Sequence, residues 1–231
     1  MPFSHISDES SVYERLLKIV FSEDATPGEK LVERNLASEL GVSRIPVRES
    51  VREMVAQGLL VGGEKWEGVR TRRYTPDDIR QLSEFREIFD GGAARIAAMN
   101  ATDMDVAQLE MICTEAESEV GNYGSERWAH LDHRFHEAVA DASHNQRLVH
   151  FMKFMLAESH YAFYVHPGRM RRSVPSKEEA VEHMQRVVKD HRTLVDMIRE
   201  KDADGAEKIA RAHIWTSGRQ AAQDLIASKL V

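Results

Sequence analysis

The chain has 231 residues, 42% of them hydrophobic and 30% charged, with a net charge of −7 and a single cysteine. That length allows one large domain or two smaller ones, each with its own core, and no apolar run approaches the ~18 residues of a membrane span. The first residues lack the basic-then-apolar layout of a secretory signal, and Cys113 alone cannot form an internal disulfide, so the expected setting is a reducing cytoplasm.

The acidity is uneven. Residues 1–75 hold 11 Lys and Arg against 12 Asp and Glu, leaving 20 against 26 for the remainder. A near-neutral N-terminal part is compatible with DNA binding, which needs a local basic stripe rather than a basic total.

Val12, Leu16, Ile19 and Val20 recur at helical spacing over residues 11–21. The pattern stops before Thr26-Pro27-Gly28, a turn signal. A second helix is predicted over 33–40, with Leu36, Ala37 and Leu40 on one side and Gly41, suited to a left-handed turn, directly after it. Ser43 is placed to cap a third helix running to Met54 or Val55. Pro46 lies in its first turn, where a missing N–H costs little. Helix, tight turn, helix is the layout of a helix-turn-helix.

In the third helix Arg44, Arg48 and Arg52 form a stripe that begins at the N-terminus. Recognition helices present that end to base edges in the major groove, where arginine binds guanine in bidentate fashion. Ser43 and Thr26 are candidate phosphate contacts. Residues 59–61 and 69–71 read as two short strands around 62–68, a wing that would hold Lys65, Arg70, Arg72 and Arg73 near the DNA backbone. Arginines four apart also occur on plain solvated helix faces; the glycine turn before them and the hairpin after them favour the DNA reading.

From Thr75 onward only helical periodicity remains. Six helices are predicted, over about 76–99, 102–121, 125–142, 145–165, 176–201 and 203–229. The expected fold is therefore mostly α: a winged helix-turn-helix over 1–74 and an antiparallel six-helix bundle over 75–231.

Histidine is abundant, with 11 residues, most of them beyond residue 75. On a helical wheel, Asp132 and His136 share the apolar face of Trp128, Phe135 and Val139, whereas His130, His133 and Glu137 point elsewhere. His191 sits within the stripe Val187, Leu194, Val195 and Ile198, and His213 among Ala206, Ile209, Ala210 and Ser217. His144, His150 and His160 lie off the main apolar faces and read as surface or rim. A single inward histidine is more often a hydrogen-bonded core residue than a ligand. An unpaired inward carboxylate is costly, however, and the four residues answer one another if a divalent metal lies between them. Three imidazoles and a carboxylate suit zinc foremost, with nickel or manganese also admissible. A metal-dependent hydrolase and a purely structural metal remain alternatives at this point.

Two resemblances cover the chain. Pro27 to Leu31 and Leu36 to Glu49, read with their turn, cap and arginines, resemble the winged-helix domain of the GntR family of bacterial regulators, over about residues 10–74. The resemblance implies DNA contacts from Arg34, Arg44, Arg48 and the wing-tip Gly68. Glu64-Lys65-Trp66-Glu67 departs from the more basic, proline-containing tip of that family.

Leu131 to His136, Ala142 to Asn145, Asp190 to Arg192 and Arg211 to His213 resemble the FCD ligand-binding domain in its shorter, six-helix version, over most of 76–228. It implies a metal held by Asp132, His136, His191 and His213, with a small organic acid bound beside or onto it. Arg86 matches an arginine that lines the pocket and would pair with a carboxylate effector; a surface ion pair with Asp90 is the alternative. Gly92 stands where the family keeps a second acidic residue. The expected protein is a homodimeric regulator, not an enzyme and not membrane-bound. It would repress from a two-fold operator in double-stranded DNA until a small organic or sugar acid releases it.

Overall fold

The computed structural model describes residues 11–22, 25–62, 68–122, 125–165 and 176–227. One compact unit runs to Tyr74 and a second begins at Thr75. No helix of the described residues is long and apolar enough to cross a membrane.

The N-terminal unit opens with α1 (Val12–Val20), started by a capping box in which the Ser11 hydroxyl accepts from the Glu14 N–H and the Glu14 carboxylate accepts from the Ser11 N–H. It buries Leu16, Leu17 and Val20. A two-residue strand β1 (Lys30–Leu31) precedes α2 (Glu33–Leu40), which turns at Gly41 with φ of 67°. That left-handed backbone suits glycine and lets the Val42 N–H reach back to the Ala37 carbonyl at 3.0 Å.

Helix α3 (Arg44–Ala56) buries Val47, Ser50, Val51 and Met54 against α1 and α2. Ser43 occupies its N-cap position in extended conformation, but its side chain makes no capping hydrogen bond, unlike the sequence expectation. Strands β2 (Leu60–Gly62) and β3 (Val69–Thr71) pair antiparallel, with Val61 opposite Arg70. β1 adds to the far edge of β3, giving the order β1-β3-β2. That third strand was not foreseen, because two residues are too short to show alternation.

The second unit is helical: α4 (Pro76–Asn100), α5 (Asp103–Ser118), α6 (Glu126–Ala142), α7 (Gln146–His160), α8 (Lys177–Arg199) and α9 (Ala203–Ala227). Capping boxes at Thr75/Asp78, Thr102/Asp105 and Ser176/Glu179 fix three of the helix starts. α7 continues into a π-helical turn, Tyr161–Val165. α4 and α9 lie close along much of their length, and a Cβ on Gly218 would fall 2.1 Å from the Ser83 hydroxyl oxygen. Phe135, Leu109, Met184, Ala206 and other fully buried side chains from all six helices form one core around the polar cluster described next.

Candidate metal and effector site

On α6, Trp128, Leu131, Phe135 and Val139 are each at most 3% exposed, and this apolar stripe turns Asp132 and His136 inward. α8 presents His191 between Val187 and Leu194, and α9 presents His213 beside Ala210 and Ile214. One ligand atom from each of Asp132, His136, His191 and His213 lies within 4.8 Å of the others, and the three imidazoles are buried. Such a set from three helices has the spacing and donor chemistry of a divalent-metal site.

The surroundings decide which nitrogen each ring offers. His136 Nδ1 lies 2.8 Å from Asp90 Oδ1, and His213 Nδ1 lies 3.3 Å from Asp190 Oδ2. Each Nδ1–H donates to its carboxylate, which leaves Nε2 with its lone pair for the interior. The His191 ring stacks on Phe135 at 3.8 Å between centroids, and its buried Nε2 has no hydrogen-bond partner. This nitrogen lies 3.8 Å from Asp132 Oδ1, too far for a hydrogen bond. A buried acceptor or donor left unpaired is costly, and a cation between these atoms removes that cost. The residues present therefore fit a metal.

The electrostatics agree. Burial pushes His191 well below the ordinary imidazole range, and burial followed by the Arg86 charge lowers His136, so both rings are neutral and able to ligate at neutral pH. Burial alone would raise Asp132, but the imidazoles, which gain positive charge on protonation, and the Arg86 cation outweigh it and hold the carboxyl below the ordinary range. Asp132 is thus an anion ready to share with a cation.

Arg86 is 5% exposed and forms a two-pronged ion pair with Asp90, itself 3% exposed, through Nε and Nη2 at 3.2 and 3.1 Å. The pair is buried, which corrects the surface alternative: α6 covers that face of α4, and a helical wheel does not show what covers a face. Arg86 also lines a small cavity beside the cluster with Asp132, His133, His136, Leu156, Ser159, His160 and Phe163. Two expectations fail here. His160 is 5% exposed and His133 is 8% exposed, so neither is on the surface or aimed away from the interior. His133 Nε2 faces Glu137 at 3.3 Å and its ring lies 5.2 Å from that of His160. His144 is half-exposed and paired with Asp105, and His150 is exposed, as expected for surface positions. Gly92 has open space where a Cβ would be.

The support that Asp90 gives His136 and that Asp190 gives His213 is what sequence reasoning missed. Asp90 stands four residues after Arg86 on one helix, a spacing that signals an ion pair but not its burial. Asp190 adjoins His191 in sequence yet supports His213 on the neighbouring helix, a relation only packing reveals.

In the N-terminal unit Arg34, Ser43, Arg44, Arg48 and Arg52 are all exposed, with Arg44 opening α3. Arg48 Nε pairs with Glu33 Oε2 at 3.1 Å. Gly68 is exposed with φ of 77°. Arg72 is occupied structurally: it donates to the Gly58 carbonyl and lies over the Tyr74 ring. Lys65 and the departure at residues 64–67 lie outside the described residues.

Comparison with known proteins covers both units. The model of the FCD domain matches residues 81–215, and that of bacterial regulatory proteins of the gntR family matches residues 9–63. The galactonate operon transcriptional repressor of Escherichia coli (strain K12) is 29% identical over 217 residues, spanning 84% of this chain and 88% of its own. The HTH-type transcriptional regulator LutR of Bacillus subtilis (strain 168) is 28% identical over 211 residues, spanning 81% and 89%. Among solved structures, E. coli McbR/YncC superposes with a TM-score of 0.71 at 18% identity, covering 92% of this chain and 95% of that one. That last likeness concerns the fold.

Proposed function

Because the chain belongs to the GntR family of bacterial regulators and carries an FCD domain, we propose that it represses transcription from a two-fold operator until a small organic acid binds at a metal held by Asp132, His136, His191 and His213. That it is a DNA-binding transcription regulator follows from the family; the finer statements are our reading. The observation that carries the metal-site reading is the quartet of ligand atoms within 4.8 Å, three of them on buried imidazoles, with the His191 Nε2 left without a hydrogen-bond partner.

Zinc is the first choice for three imidazoles and a carboxylate, and nickel or manganese would also be accepted. When bound, the ion supplies a Lewis-acidic anchor for a carboxylate oxygen. The protein's own contribution is preorganisation. Asp90 and Asp190 orient two of the rings, Phe135 holds the third by stacking, and Arg86, fixed by Asp90, offers positive charge beside the cluster. An anionic effector is favoured there over a neutral one.

On the DNA side, Arg44 and Arg48 would read base edges, with Arg34, Ser43 and Gly68 contacting the backbone or wing-side groove. Regulators of this family act as dimers, and a homodimer would present two such helices to a two-fold site. Release requires the acid to favour a dimer arrangement that no longer matches the operator spacing. The E. coli relative is named for the galactonate operon, which supports an organic acid as the effector class.

The test is a mobility-shift titration on duplexes selected from a random pool. Metal-loaded protein should bind a palindrome tightly and release it on addition of one of a panel of organic acids. His191→Ala protein should bind the same DNA without responding. Acid-induced release that persists in that variant contradicts the metal-site reading.

A further inference from the structure

The cavity beside the metal cluster has room for the centre of about one water molecule, about 10 Å³. An acid of even two carbons therefore needs one wall to give way. The α4 and α6 sides are cross-braced: Arg86 is paired twice with Asp90, Asp90 with His136, and His136 and Asp132 belong to the cluster. Moving any of these disturbs a buried ion pair or a ligand.

The remaining side comes from the end of α7. Leu156, Ser159 and His160 lie on its last turns, and the Ser159 hydroxyl donates back to the Met155 carbonyl of the same helix. Phe163 follows on the π-helical turn, with the Arg86 guanidinium 5.9 Å from its ring centre. π turns are uncommon and recur at functional sites. Here the turn sets an aromatic ring against the cationic wall, and His160 lies against His133 across the same cavity.

We propose that Phe163 and His160 are the specificity-determining residues of the effector pocket, limiting by their bulk the length of organic acid that reaches the cluster. This rests on the acid-sensing reading above. Both side chains are nearly fully buried, at 5% exposed, and both line the cavity with Arg86, so truncating either one opens volume there while all four ligand side chains are kept. A pocket that is tight around a short acid discriminates against added carbons by one to two orders of magnitude.

The probes are glycolate, with two carbons, and citrate, with six, titrated into metal-loaded protein and followed by thermal shift. Metal content is measured alongside on each variant. Wild type should respond to glycolate at least tenfold more sensitively than to citrate. Phe163→Ala and His160→Ala should narrow or reverse that order with metal content unchanged. Phe163→Leu, which keeps the core packed, should move the order in the same direction if the alanine variant fails to fold. A wild type that prefers citrate, or variants that keep the wild-type order, overturn the proposal while leaving acid sensing intact. A wild type that binds metal and responds to neither acid overturns it together with the reading beneath it.

Discussion

Asp90 Oδ1 lies 2.8 Å from His136 Nδ1, so a carboxylate on α4 sets the tautomer of a cluster imidazole on α6. The same oxygen meets Arg86 at 3.1 Å. Burial opposes the charge on Asp90, but Arg86 first and then His136 hold its carboxyl below the ordinary range. Asp90→Asn removes the charge that orients one ring and neutralises one guanidinium. Metal affinity should fall about 10–100-fold, and stability by about 3–5 kcal/mol as Arg86 is left a buried, unpaired cation. Chelator competition and urea unfolding measure the two effects separately; unchanged metal affinity contradicts the supporting role.

Stripping the metal should lower the thermal midpoint. Zinc at a hundred times its dissociation constant restores about 2.7 kcal/mol, worth roughly 5–10 °C for a domain of this size. Scanning calorimetry of chelator-treated and reloaded protein reads this directly. Coincident traces count against a site in the folded bundle.

Acidification acts through His160. Burial, reinforced by the neighbouring His133, pushes its imidazole from the ordinary 6.5 down to about 3. The unfolded chain binds a proton in that interval and the folded chain does not, so stability is complete above about pH 6.5 and declines as pH falls toward 3. For this one ring the loss between pH 7 and pH 5 is about 2 kcal/mol. Metal-free His160→Asn should show a correspondingly smaller drop than metal-free wild type in urea unfolding at those two pH values. An equal drop in both shows that His160 is not held neutral in the fold.

On the proposed reading, Arg48 exchanges Glu33 for DNA. Their exposed pair at 3.1 Å is weak in water, so the exchange is inexpensive. Arg48→Ala and Arg44→Ala should each cost about 1–3 kcal/mol in binding to the selected palindrome and relax its sequence preference. Glu33→Gln should tighten binding slightly. Specific binding retained in the double arginine variant rejects α3 as the reading helix.

The sequence made the inward set visible because helical periodicity reports which face is apolar, and Asp132, His136, His191 and His213 each interrupt such a face. Gly41 marked the tight turn for an equally local reason, the need for positive φ. Relations between helices were less legible. A wheel shows that His133 and His160 leave the main stripes of α6 and α7, but not that these two helices bury them against each other. In the same way the i,i+4 spacing of Arg86 and Asp90 left a surface pair open as the alternative to a pocket role, until α6 covers them. The support given by Asp190 to His213 joins α8 to α9 and has no sequence signature at all. Ser43 was legible as a helix start by position, but not in the missing capping bond of its side chain.

The central claim, that four side chains from three helices share one divalent ion, is tested most directly by elemental analysis of zinc-loaded, desalted protein. The account predicts one equivalent per chain in wild type and less than a tenth of that in His191→Ala. A metal-free wild type, or a full equivalent retained by the His191→Ala protein, would contradict it.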